Sequence, residues 1–158
     1  MLKKPDFPYP EIDGKRCVSL EDGKFRVSLD RNAAIELLFS LYAFATTQPL
    51  GEEIDIRTSK DFLAQCKGKT IGFCELNLMP SHVHKKQGKD IMKAPIAIRN
   101  KPHGVYTEEH DRLDYFVSVE EISEAYEALS EALSGVARGG RIREAILFGT
   151  LFVRIVMF

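Results

Sequence analysis

The sequence predicts an α+β protein: an antiparallel or mixed sheet of about five to seven strands, packed against two main helices as a single pair of layers. Three observations carry this reading. Period-two alternation flanks Asp22-Gly23, a long run of helix formers follows Asp30, and Ser118 with Glu121 opens a second segment of helical apolar spacing. No repeat, low-complexity block or long linker interrupts the 158 residues, so one domain over 1–158 is expected, with an extended proline-rich arm over 1–14.

Pro5, Pro8 and Pro10 bias the arm towards extended backbone and remove three amide donors. Cys17-Val18-Ser19-Leu20 and Phe25-Arg26-Val27-Ser28-Leu29 then read as two strands, because Asp-Gly between alternating segments favours a tight hairpin. Asp30 stands at the N-cap position of a helix over 31–47, since its side chain can accept an amide hydrogen that the first turn leaves unpaired. The polar surface of that helix is a thin strip through Asn32, Glu36, Ser40 and Thr47. Nearly its whole circumference must therefore be covered, by the sheet or by a second subunit.

Ile54-Asp55-Ile56 reads as a short strand, Ser59 as the cap of a brief helix through Cys66, and Thr70 to Met79 as one strand ended by Pro80. Pro95 to Ile98 and Leu113 to Val117 predict two more strands, with a turn at Pro102-His103-Gly104. Ser118 and Glu121 form the S-x-x-E capping pattern ahead of Ile122, Ala125, Tyr126, Leu129, Leu133 and Val136. Gly139-Gly140 stops that helix; Arg141 to Leu147 suggests one or two further helical turns, and Thr150 to Met157 a strand apolar on both faces and broken only by Arg154.

The apolar fraction of 44% excludes a disordered chain, and the formal charge of −1 gives no global attraction to nucleic acid. Charge is unevenly distributed. Residues 80–103 hold six cations against Asp90, whereas 108–131 hold nine acids against Arg112. Three cysteines with no C-x-x-C spacing predict reduced thiols, and the amino terminus lacks the apolar run of a secretory signal, so a cytoplasmic protein is expected. The apolar stretch 145–158 is 14 residues long, short of a bilayer span, and no membrane partner is expected.

All four histidines, His82, His84, His103 and His110, fall within 29 residues. Together with Lys85, Lys86, Lys89, Lys93, Arg99 and Lys101 they suit an anion, since ammonium, guanidinium and imidazole groups donate to phosphate oxygens. The functional expectation is a homodimeric binding module whose segment 80–103 takes a phosphate-bearing small molecule, RNA or DNA. No cofactor is expected. As an enzyme, the same segment would place His82 or His84 opposite His103 as general base and general acid on a phosphodiester. His82 and His84 are also candidate metal ligands, because residues two apart on a strand face one way; Lys85 and Lys86 beside them oppose a cation. Arg141 and Arg143 form a second basic cluster after Gly139-Gly140 but lack the P-loop order. Against these stands a bland alternative, a solvated basic loop facing the acidic helix of a scaffold protein that binds no ligand. No G-x-S-x-G elbow supports a serine hydrolase.

Overall fold

The computed structural model describes residues 2–21, 24–47, 52–57, 59, 69–71, 73–80, 96–100, 104–107, 112–137 and 142–156. Among them are ten strands and two helices, in the order β1 (Arg16–Glu21), β2 (Lys24–Leu29), α1 (Arg31–Thr47), β3 (Glu52–Arg57), β4 (Lys69–Ile71), β5 (Phe73–Pro80), β6 (Ile96–Asn100), β7 (Gly104–Thr107), β8 (Arg112–Val117), α2 (Val119–Ala137), β9 (Ile142–Leu147) and β10 (Leu151–Val156). The α+β class holds. In place of one sheet there are two of five strands each, ordered β4-β1-β2-β10-β9 and β3-β5-β8-β7-β6. Both are mixed: β10 runs parallel to β2 and β5 parallel to β8, the other pairings being antiparallel.

Local signals account for the helix starts. Asp30 Oδ1 accepts the Ala33 amide at 2.8 Å, and Ser118 and Glu121 cap each other reciprocally, at 3.1 and 3.2 Å. The two-residue connection from Glu21 to Lys24, which are register partners, closes the expected hairpin. Three expectations fail. The strand expected over 70–79 is two strands in different sheets, β4 on β1 and β5 between β3 and β8, with Gly72 between them. Residues 142–147 are not helical but pair as β9 with β10, because Phe148 and Gly149 both take positive φ and turn the chain back. β7 begins at Gly104, where only a turn was expected. The brief helix expected after Ser59 lies outside the described residues.

One apolar core joins both helices to the inward faces of both sheets, from Val18, Phe25 and Val27 through Leu38 and Leu41 to Leu78, Leu113, Leu129 and Val153. At its centre Tyr115 of β8 shares a 2.9 Å hydrogen bond with the Thr150 hydroxyl beyond the β9 turn, and its ring lies 5.1 Å from that of Phe148. Leu37, Leu41 and Phe44 of α1 are buried within the chain itself. The N-terminal arm completes the cover: Tyr9 meets Phe39 edge-on at 5.2 Å, Arg31 stacks over Phe7 at 5.5 Å, and Tyr126 of α2 donates to the Lys3 carbonyl at 2.7 Å. This face of α1 therefore needs no second subunit, contrary to the reason given for a homodimer. β10 is likewise interior to its sheet.

Cys17 also departs from expectation. It is fully buried and disulfide-bonded, not a free thiol. A persisting disulfide belongs to an oxidising environment, which removes the cysteine count as support for a cytoplasmic location. No helix among the described residues is long and apolar enough to cross a membrane.

Candidate anion-binding site

Strand direction in the second sheet determines where the histidine segment is anchored. Pro80, at the end of β5, is the register partner of Val117 at the end of β8. Gly104, at the start of β7, pairs with Tyr115 on β8 and with Asn100 at the end of β6. Pro80, Asn100, Gly104 and Val117 thus share one end of the sheet. His82 follows Pro80 by two residues, Lys101 follows Asn100, and His103 precedes Gly104. The anchors Pro80 on β5 and Gly104 on β7 are two strand spacings and two residues of register apart, roughly 12 Å.

The same register divides the cluster. Thr107 pairs with Ile96 and with Arg112, which places the start of β6 and the β7–β8 connection at the opposite end. Lys93 leads into Ile96, and His110 lies between Thr107 and Arg112. The described positions next to these two, Ile96, Thr107 and Arg112, lie at the opposite end of the sheet from Pro80 and Gly104. Arg99 lies on the edge strand β6. His82, His84, Lys85, Lys86, Lys89, Lys93, Lys101, His103 and Arg141 themselves lie outside the described residues.

Of the second basic cluster, Arg143 is among the described residues. It sits on β9, the edge of the first sheet, with its guanidinium against the last turns of α2: a Cβ on Gly135 would come within 2.6 Å of its Nε. A cation there complements the carbonyl end of the helix.

The acidic helix also bears on the site. α2 starts at Val119, beyond Val117, and so at the Pro80 end of the sheet, with Glu120 and Glu121 in its first turn. Glu121 is engaged in the capping box, while Glu120, Glu124, Glu127 and Glu131 are exposed. On the outer face of the same sheet the Asp114 carboxylate is buried, accepting from Asn77 at 3.0 Å and from Arg112 at 3.1 Å. That carboxylate is satisfied by the fold. Among the described residues no three His, Cys, Asp or Glu side chains gather as metal donors would.

Sequence reasoning passed over one charged pair altogether. Arg26 on β2 and Arg154 on β10 share the outer face of the first sheet, and a lone arginine inside an apolar strand was the only sign of it. Comparisons with protein-family models, with curated proteins and with solved structures return no match.

Proposed function

We propose that the chain is a binding module for a phosphate-bearing ligand, taken at the end of the second sheet where Pro80 and Gly104 are anchored. The observation that carries this is the shared position of those two residues beside β8. In the chain Pro80 is followed by His82, Lys85 and Lys86, and Gly104 is preceded by Lys101 and His103. Imidazole and ammonium groups converging from the two anchors would donate to different oxygens of one phosphate. The nearby Glu120 limits the positive potential, which argues for a small phosphorylated ligand or a short single strand over a long duplex tract.

Binding of a fluorescent single-stranded RNA and of a nucleoside triphosphate, followed by anisotropy across a salt series, tests this. Affinity should fall steeply with salt, with a log–log slope near −0.7 for each phosphate neutralised on the RNA. The combined K85Q/K86Q/K89Q variant should bind at least tenfold more weakly than wild type. A flat salt response, or an unaltered variant, overturns the reading.

A catalytic version rests on the same anchoring, since His82 and His103 on one phosphodiester could act as base and acid. His82→Ala and His103→Ala would then each abolish RNA cleavage while leaving RNA affinity within about threefold. Loss of affinity in step with rate rejects it.

A further inference from the structure

We propose that the N-terminal arm exchanges between two copies of this chain: residues 2–10 of each copy fill the groove between α1 and α2 of the other, and Tyr9 and Ile12 are covered where the two arms cross. The exchange is independent of the phosphate reading.

The arm is held as a peptide ligand is held. Residues 2–15 form neither helix nor strand, and among the described residues the backbone of 2–13 makes no hydrogen bond to other backbone. Its carbonyls accept from side chains instead: that of Lys3 from Tyr126 of α2 at 2.7 Å, and that of Ile12 from Asn32 of α1 at 3.3 Å. Pro5 is buried, Leu2 and Phe7 pack on the core, Tyr9 meets Phe39 at 5.2 Å, and the rings of Tyr42 and Tyr126 lie 6.2 Å apart across the two helices. Proline-rich segments dock on aromatic grooves in this manner, because a backbone already restricted by proline loses little entropy on binding.

Such contacts do not require arm and groove to belong to one chain. The sequence that fits this groove is the chain's own, so every copy carries both the site and its ligand. Exchange of identical elements keeps each arm contact and adds a new interface where the connecting segments meet.

That interface has a place. The backbone bends at residues 11–12, and Glu11, Ile12 and Asp13 are exposed, whereas Gly14 is pinned against Ala33. Straightening the bend frees residues 2–10, about 28 Å long as polyproline II, and leaves Gly14 in its seat. Tyr9 is 61% and Ile12 75% exposed, two of the three large apolar side chains left exposed among the described residues. In the exchanged pair the connecting segments pass each other about a two-fold axis, which sets these side chains of one copy against those of the other. The closed arm competes as a tethered ligand at an effective concentration of about a millimolar, so dimers are expected with a dissociation constant below about 1 mM.

The test uses the wild-type chain, half of it ¹³C,¹⁵N-labelled and half unlabelled, mixed in urea and refolded together at about 1 mM. Isotope-filtered NOEs should connect the Tyr9 ring of one chain to the Phe39 ring of the other, and sedimentation over about 0.01 to 1 mM should give a monomer–dimer equilibrium. Ile12→Ser, at an exposed position, should leave the urea midpoint of the dilute monomer unchanged and weaken dimerisation at least threefold. A chain that stays monomeric, with every Tyr9–Phe39 NOE internal, overturns the proposal. So does a dimer without the cross-chain NOE, or one that Ile12→Ser leaves equally tight. A polyproline peptide that displaces the arm from a chain still monomeric would assign the groove to another protein's segment, and overturns the exchange as well.

Discussion

Gly14 and Ala33 approach so closely that a Cβ at position 14 would lie 2.0 Å from the Ala33 amide nitrogen. The arm enters the fold through this contact. Its Gly14 amide donates to Glu36 Oε1 at 3.0 Å, and Glu36 Oε2 pairs with the Arg16 guanidinium, so the carboxylate clasps the arm to α1. Gly14→Ala should cost about 1–3 kcal/mol by overpacking against backbone that cannot swing aside. Urea denaturation gives the loss, and limited proteolysis should show earlier cutting within residues 2–14. An unshifted urea midpoint would mean that the helix start yields freely.

Ser118 satisfies the Glu121 amide, and Glu121 in turn satisfies the Ser118 amide. Ser118→Ala should lower stability by about 1 kcal/mol, whereas Ser118→Asp should retain most of it, since a carboxylate also caps. Thermal and urea unfolding of the three proteins would show this order. Equal loss in both variants would assign the cost to something other than the cap.

Tyr126 ties α2 to the arm through the Lys3 carbonyl, and burial, then Glu127, Tyr42 and Asp6, hold its phenol above the ordinary tyrosine range. The sign follows from linkage. Below about pH 10 both folded and unfolded forms keep the proton, and the contribution of the phenol is complete; above it the unfolded chain ionises first. Stability is therefore lost as pH rises through the raised folded value. Tyr126→Phe should cost about 1 kcal/mol at neutral pH and flatten the alkaline decline. Urea midpoints measured over roughly pH 8 to 11 test both effects.

Phe148 has a φ of 55°, a backbone region costly for a bulky side chain, yet its ring is buried against Tyr115. Relief of the strain is worth about 1–2 kcal/mol, while removal of a buried aromatic costs about 3–5 kcal/mol. The ring dominates. Phe148→Asn, which accepts the backbone angle, should still destabilise by about 2–3 kcal/mol in denaturant unfolding. A variant as stable as wild type would reverse this ranking of strain and packing.

Anchoring at the ends of β5 and β7 also sets an expectation for the histidines. In NMR titrations with inorganic phosphate, His82 and His103 should move together, and His110, anchored at the other end of the sheet, should stay still. Concerted movement of all three would contradict this expectation.

By itself the sequence determined the parts of this protein whose causes lie within a few residues. Asp30 caps an amide three positions on, Ser118 and Glu121 cap each other, Asp22-Gly23 joins adjacent strands, and apolar spacing marks the buried side of α2. Tertiary structure decided what depends on distant partners. Ile142–Leu147, rich in helix formers, is a strand because β10 pairs with it, and Lys69–Ile71 joins another sheet from Phe73–Pro80 because β1 is its neighbour. The cover over α1 comes partly from an arm held by a hydrogen bond spanning 123 residues. Likewise, adjacency along the chain grouped the histidines, whereas strand direction puts Thr107 and Arg112 at the other end of the sheet from Pro80 and Gly104, and only sheet register makes Arg26 and Arg154 diagonal neighbours. Caps and turns are local energies written in neighbouring side chains. Which surfaces meet depends on pairing between segments, and no single segment encodes its partner.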